Sequence, residues 1–236
     1  MKGLIFRYFS LLLLFLIIGV NLFGSEDSKG NILFETGNVT PGSIMDMVNQ
    51  SDDCKFYIVK DLPEDTKRAG RATVKAFGVK SRFVHFEFFR LLSDHEGLGK
   101  KGDLMALEVN MRPSGGFTPD MINFARETDV YKIWADMVAY DSTQKQVGAH
   151  HFCAFAGLRD GKDFSMTQDD IIEKYDHHLK MVERMPDALA DAMGNQMYLA
   201  TFDTEEELHT FFADVTGLKE VDTSEESETT ETIIDK

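Results

Sequence analysis

The sequence has few of the residues that crosslink or ligate small domains. Only two of its 236 residues are cysteines, Cys54 and Cys153, and proline and tryptophan are also sparse, at five and one. Two distant cysteines predict neither a disulfide framework nor a zinc site, and unpaired thiols favour a reducing compartment. Such a chain must be held by an apolar core, and its apolar share of 43% is ordinary for a globular protein.

Positive charge is also scarce, with 25 lysines and arginines against 40 acidic residues and a formal net charge of -15. Because nucleic acid binding depends on basic side chains at the phosphates, we predict no nucleic-acid partner. Much of the negative charge follows Leu218, in "KEVDTSEESETTETIIDK". That composition predicts a disordered acidic tail over residues 219–236.

The N-terminus, in contrast, is strongly apolar. Lys2 and Arg7 precede an apolar run over residues 10–23, which predicts a hydrophobic leader over residues 1–24. A cleaved signal peptide and a membrane anchor are equally compatible with it, and residues 4–23 would make the membrane contact. We therefore expect an anchored or exported protein, or a cytoplasmic one if the leader is an artefact of the gene model.

Local patterns beyond the leader predict an α+β fold, with a mainly antiparallel sheet and packed helices over residues 25–145. Pro63 and Gly78 bracket a helix, and "RFVHFEFFRLL" and "LMALEVNMR" read as two strands of a hairpin. Residues 146–218 predict a smaller α+β unit.

The stretch that follows the hairpin predicts two helices. Thr118 is a plausible N-cap with Pro119 behind it, and Asp129 can cap the second helix. Helical spacing gives the second helix a core-facing stripe, in which Trp134 is expected to be buried. The stripe contains Val130, Ile133, Trp134, Met137 and Val138.

Polar side chains interrupt the apolar hairpin at every second position. Glu108, Asn110 and Arg112 share one face of the second strand, because side chains alternate along a strand. Leu107, Val109 and Met111 are therefore expected on the opposite, core face. In the first strand the same rule groups His85, Glu87 and Phe89.

If the two strands pair antiparallel, Glu87 stands beside Glu108. Neighbouring carboxylates repel, and a divalent cation between them removes the conflict. Oxygen ligands favour Mg²⁺ or Mn²⁺, while Arg112 can hold a phosphate or a carboxylate. The loop "SGG" after Pro113 would let backbone approach a ligand. The pattern suggests metal-assisted phosphoryl chemistry, and the alternative is a hairpin with solvated acids and a tight turn.

These residues also carry a family resemblance. "FVHFEFFRLL" followed by "ALEVNMRPSGGFTPDM" resembles the C-terminal lobe of the ATP-grasp superfamily, of the carboxylate-amine ligase and carbamoyl-phosphate synthase large-subunit type. It covers about residues 30–140 and implies a partial ATP-grasp fold. The resemblance implies that Glu87, Glu108 and Asn110 hold metal ions on ATP, with Glu108 and Asn110 thereby binding the nucleotide. By the same resemblance, Arg112 is the catalytic arginine and Phe89 packs on adenine.

The implied activity is a ligase reaction. With Mg²⁺ or Mn²⁺ and ATP, such enzymes activate a small carboxylate as an acyl phosphate, which an amine then attacks. Family members also have an N-terminal lobe with nucleotide-binding lysines and a glycine-rich lid, and no such segment precedes residue 30 here. The alternatives are a catalytically inactive, membrane-tethered or secreted binding module, or a truncated gene product.

Overall fold

The computed structural model describes residues 17–41, 52–144 and 147–219. These ranges contain eight strands and six helices. The strands are β1 (Ile17–Glu26), β2 (Ile32–Thr40), β3 (Cys54–Ile58), β4 (Arg82–Leu91), β5 (Leu104–Asn110), β6 (Phe152–Leu158), β7 (Leu179–Arg184) and β8 (Gln196–Phe202). The helices are α1 (Glu64–Phe77), α2 (Thr118–Arg126), α3 (Val130–Tyr140), α4 (Gln168–Tyr175), α5 (Asp187–Met193) and α6 (Glu205–Thr216).

All eight strands belong to one sheet, in the order β5-β4-β1-β2-β3-β6-β8-β7. Every neighbouring pair is antiparallel, so the predicted α+β class with a mainly antiparallel sheet is confirmed. Strand β3 pairs with β2 only at its end and with β6 along its whole length. The sheet therefore continues across the boundary predicted between residues 145 and 146.

Helices cover both faces of the sheet and enclose two cores. On one face, helices α1, α4 and α6 pack on a cluster that includes Phe86, Ala156 and Tyr198. On the other face α2 and α3 pack on a cluster that includes Phe83 and Phe155. Because side chains alternate along β4, Glu87 lies on the same face of the sheet as Phe83. Helices α2 and α3 cover that face farther along the sheet.

Helix ends follow the local signals in the sequence. Gly78 ends α1 with a left-handed φ of 61°, a conformation that glycine adopts without a Cβ clash. Asp129 caps α3 by accepting a hydrogen bond from the Lys132 amide at 3.0 Å. Thr118 is the predicted N-cap of α2. In the structure Thr118 is instead the first residue of the helix, and Phe117 occupies the N-cap position.

The core-facing stripe of α3 is narrower than predicted. Val130, Ile133 and Met137 are buried, but Trp134 is 44% exposed and Val138 is 70% exposed. The prediction that Trp134 is buried is therefore wrong. Helix α3 contacts β4, β1 and α2, and one row of its side chains is buried there while the adjacent row faces outward.

The N-terminal leader and the acidic tail are only partly within the described ranges. Residues 17–24 of the predicted leader lie in β1, between β2 and β4; residues 1–16 and 220–236 lie outside the described ranges. The sequence "TPGSIMDMVNQ" over residues 40–50 predicts a short turn-rich helix, and it also lies almost wholly outside the described ranges. Each helix in the described ranges is too short or too polar to span a bilayer.

Candidate metal and nucleotide site

The hairpin of β4 and β5 brings two carboxylates together at the edge of the sheet. The two strands pair antiparallel, as the sequence predicts, and Glu87 lies directly opposite Glu108. His85 lies opposite Asn110 in the same register. Residues opposite each other in an antiparallel pair share a face, with Cβ atoms about 4.5–5.5 Å apart. The four side chains therefore form one polar patch.

A β-bulge lies beside this carboxylate pair. The register shifts between Glu87 and Phe88, so that Phe88 faces Ala106 and Leu107 is the extra residue. The prediction of a core position for Leu107 is wrong, since that side chain is 54% exposed. Val109 and Met111 do pack against the core, as predicted. Bulges occur often next to functional sites because they redirect side chains locally.

The environment of Glu87 disfavours its charged form. Burial raises the pKa of the Glu87 carboxyl above its ordinary value of 4.5, and the Glu108 charge raises it further, while Arg112 acts in the opposite direction. The Glu87 side chain is 26% exposed. A half-buried acid facing another acid is stabilised either by a proton or by a cation.

His85 lies on the same patch and is neutral at pH 7. Its Nε2 atom is 3.3 Å from Glu87 Oε1, which would be an ion pair only if the imidazole were protonated. Burial, together with a smaller effect of Arg112 and against the opposing effect of Glu108, lowers the pKa of His85 from 6.5 to about 4. The contact therefore joins a neutral imidazole ring and the Glu87 carboxyl group.

The polar surface continues from the hairpin to β2. Asn38 in β2 and Glu87 in β4 lie opposite the same residue of β1, on its two sides. Thr36 and His85 are related in the same way. Asn38 and Thr36 are both buried. Among the described residues, three buried polar atoms on this face have no hydrogen-bond partner: Thr36 Oγ1, Asn38 Oδ1 and Asn110 Nδ2. Such atoms each cost roughly 1–3 kcal/mol, so this face is better suited to a polar ligand than to packing.

Sequence reasoning did not identify Thr36 and Asn38. The signal was present in "FETGNVT" of β2, where polar residues recur at every second position after Phe34. In isolation that alternation is equally typical of a strand with one solvated face. Only the register across β1 aligns these residues with Glu87.

The two remaining predicted site residues lie at the margins of this patch. Arg112 follows β5 and is exposed, with its Nη1 donating to the Pro113 carbonyl oxygen at 3.0 Å. Phe89 is partly buried in β4, opposite Met105. In the loop beyond Arg112, Gly116 has a φ of 59°, a left-handed conformation that favours glycine.

The donor set of the patch suits a hard cation. Two carboxylates and an amide oxygen, from Glu87, Glu108 and Asn110, are the ligands that Mg²⁺ and Mn²⁺ prefer. Within the described parts of the chain, no three histidine, cysteine, aspartate or glutamate side chains group together as a complete metal site. A cation here would need further oxygen ligands from water or from a bound phosphate.

A wider cleft lies elsewhere in the molecule. It has a volume of about 620 Å³ and is lined by the first residues of β2 together with Arg71, Arg126 and His150. None of the predicted site residues lines it. Arg126 is buried there, but its guanidinium donates to three backbone carbonyl oxygens, of Val59, Ala125 and His151, which gives it a structural role at the end of α2.

Comparisons with known proteins reveal similarity of structure and not of sequence. No family model and no curated protein matches the sequence. Among solved structures, the L-amino acid ligase from Bacillus licheniformis has a TM-score of 0.57 and 12% identity, over 84% of this chain and 52% of that chain. The phosphoribosylaminoimidazole carboxylase ATPase subunit from Aquifex aeolicus has a TM-score of 0.53 and 11% identity, over 85% and 56%.

A third structure was solved with a bound nucleotide. The N5-carboxyaminoimidazole synthetase from Staphylococcus aureus complexed with ADP has a TM-score of 0.53 and 14% identity, over 84% of this chain and 49% of that chain. The chain thus spans about half the length of the solved structures that it matches. At these identities the likeness concerns the fold alone, and at that level the chain has the partial ATP-grasp-like fold that the sequence predicts.

Proposed function

We propose that this chain provides the metal- and phosphate-binding half of an ATP-grasp ligase site, which activates a small carboxylate with Mg²⁺-ATP for attack by an amine. The observation that carries the proposal is the cross-strand pair of Glu87 and Glu108, in which burial and the neighbouring charge raise the pKa of Glu87. The fold supports it, since the compared structures include an L-amino acid ligase and a synthetase complexed with ADP.

The residues present fit the cation that this chemistry needs. Glu87, Glu108 and the Asn110 oxygen would hold it, and when bound the cation would neutralise charge on the ATP phosphates. With a cation between them, both carboxylates can remain ionised at neutral pH.

Arg112 would orient the reacting groups. In the first step a carboxylate oxygen of the acid attacks the γ-phosphorus of ATP, and ADP leaves. In the second step the amine nitrogen attacks the acyl carbon, phosphate leaves, and the nitrogen loses a proton. A planar guanidinium can hold the carboxylate and the transferred phosphoryl group in two-point contacts through both steps. Positioning and charge stabilisation of this kind supply most of the catalysis in phosphoryl transfer.

The direct test is the binding of Mg²⁺-ATP to the full chain, measured by isothermal titration calorimetry. We expect Glu108→Gln to weaken binding at least about ten-fold, or ~1.4 kcal/mol, because it removes one of the two charges that hold the cation. Glu183→Gln is the matched control, since Glu183 is an exposed acid on β7, at the opposite edge of the same sheet. Equal affinity of the wild type and Glu108→Gln would overturn the assignment.

The same protein samples separate the ligase from the alternative of an inactive binding module. ADP release that depends on added acid and amine supports the ligase. Tight binding of Mg²⁺-ATP with no ADP release under any acid and amine mixture supports the module. In both cases the binding of Mg²⁺-ATP should depend equally on Glu108, because the ligase and the binding module both use the carboxylate pair.

A further inference from the structure

A small apolar pocket lies beside the polar patch, at the exposed face of α3. Its volume is about 150 Å³, and most of its wall is apolar or aromatic. It is lined by Phe83, Val84, Pro113, Ser114, Pro119, Ile122, Val130, Tyr131 and Trp134. Two of these aromatic side chains remain largely accessible, with Tyr131 50% exposed and Trp134 44% exposed. Aromatic rings that stay exposed around a concave surface are typical of binding sites.

The pocket is continuous with the hairpin that carries the site. Phe83 and Val84 directly precede His85 in β4, and Pro113 and Ser114 directly follow Arg112. The Arg112 Nη1 atom lies 3.0 Å from the carbonyl oxygen of Pro113. The guanidinium of Arg112 therefore lies next to Pro113, one of the residues that line this mostly apolar pocket.

The rings that form the mouth of the pocket are held in place. Trp134 packs edge-on against the buried Phe83, with ring centroids 6.2 Å apart and an interplanar angle of 61°. The Tyr131 hydroxyl donates to Asp120 Oδ1 at 3.3 Å. The floor is formed by the buried Ile122 and Val130. These contacts give the pocket a defined shape.

The size of the pocket limits what it can bind. An apolar cavity of about 150 Å³ accepts a molecule the size of benzene, which is far less than a helix or a strand of another protein occupies. The neighbouring guanidinium favours a carboxylate on the same ligand. The combination fits a small acid with one apolar ring or branched chain.

We propose that this pocket binds the apolar side chain of the carboxylic acid substrate, while the acid's carboxylate contacts Arg112. This inference rests on the proposed function, and it names the class of acid that the site accepts. The exposed rings of Trp134 and Tyr131 are available to contact such a side chain. Acids with a charged or strongly polar side chain would be excluded, because the lining offers them few hydrogen-bond partners.

The single tryptophan of the chain makes the test direct. Trp134 emission is recorded on the full chain while 3-phenylpropionate is added, with acetate at the same ionic strength as the matched acid without a ring. We expect a saturable blue shift with 3-phenylpropionate only, because the ligand removes water from the indole ring. An unsaturable response that is equal for the two acids would overturn the proposal. So would a blue shift that depends on protein concentration without any acid, since it would indicate a second copy of the chain at this face.

Two variants on α3 refine the test. Tyr131→Ala removes part of the pocket mouth and should weaken 3-phenylpropionate binding at least about five-fold. Tyr140→Ala is the control, because Tyr140 is 75% exposed on the same helix and does not line the pocket. Equal effects of the two substitutions would contradict the assignment of the pocket. Arg112→Gln should weaken the binding of 3-phenylpropionate more than that of benzyl alcohol, which carries a ring but no carboxylate.

Failure of this inference is distinguishable from failure of the proposed function. Glu108→Gln should lose Mg²⁺-ATP and retain 3-phenylpropionate, since Glu108 does not line the pocket. Binding of Mg²⁺-ATP without any acid binding removes the pocket assignment alone. Acid binding without any Mg²⁺-ATP binding retains the pocket and removes the ligase proposal.

Discussion

The two ends of the sheet bury different kinds of side chain. In β6 and β8 the buried residues are almost all apolar, and the exception, Gln196, donates from Nε2 to the carbonyl oxygens of Glu183 and Met197. In β2 and β5 buried polar atoms lack such partners within the described ranges, as Thr36, Asn38 and Asn110 show. One end of the sheet is therefore organised for stability, and the other retains polar groups that a ligand can satisfy.

The largest expected effect comes from the apolar end. Phe155 is fully buried and stacks on Phe56 with ring centroids 4.7 Å apart. Phe155→Ala leaves a cavity in a close-packed region, and we expect it to lower the free energy of unfolding by about 3–5 kcal/mol. Urea denaturation followed by circular dichroism measures this loss. A cost below 1 kcal/mol would mean that the β6–β8 end is not the stabilising part of the sheet.

A smaller effect, of opposite sign, is expected at the polar end. Thr36 is fully buried and its Oγ1 is one of the unpartnered atoms. Thr36→Val keeps the shape and removes the hydroxyl, so the ligand-free protein should gain about 1 kcal/mol of stability. Thr66→Val provides the comparison, because the equally buried Thr66 Oγ1 accepts from Arg90 Nη2 at 3.3 Å. That variant should lose stability, and the same sign in both would contradict the distinction between the two threonines.

The smallest effect concerns pH, because the Glu87 side chain is 26% exposed and solvent screens part of its interactions. Its folded-state pKa is raised above 4.5 by burial and by Glu108. Between 4.5 and that higher value the folded protein binds more protons than the unfolded chain, so stability should fall as pH rises. His85, whose pKa is lowered to about 4, acts in the opposite direction between that pH and 6.5.

The contribution of Glu87 is isolated by comparison with Glu87→Gln at the same pH values, without divalent cations. Relative to this variant, the wild type should lose stability as pH rises from 4.5 toward neutrality. Parallel stability curves for the two proteins would show that Glu87 titrates normally. The measurement is thermal unfolding in buffers of matched ionic strength.

Local sequence patterns predict part of the fold and part of the candidate site. Period-two alternation was sufficient to place Glu87 and Glu108 on one face, and capping signals located Gly78 and Asp129 correctly. Alternation fails wherever a strand contains an extra residue, so the exposure of Leu107 could not be read from it. A bulge is determined by the partner strand and not by the local pattern.

Long-range pairing set the other limit. The apolar composition of residues 17–24 predicts a leader, and only hydrogen bonding to β2 and β4 places them inside the sheet. Helical spacing predicts Trp134 to be a core residue, because the spacing identifies an apolar stripe on the helix but not how much of that stripe is buried. The exposure of the Trp134 side chain depends on how much of the α3 surface contacts the sheet. The structure places Glu87 opposite Glu108, but the metal, nucleotide and catalytic roles of all five predicted site residues remain predictions: Glu87, Phe89, Glu108, Asn110 and Arg112.

The most direct test of the account asks whether Glu87 and Glu108 share a cation. Electron paramagnetic resonance of Mn²⁺ with the full chain and a non-hydrolysable ATP analogue measures the bound fraction of the metal. Glu87→Gln and Glu108→Gln should each release Mn²⁺ that the wild type and Glu183→Gln retain. Equal retention by all four proteins would contradict it.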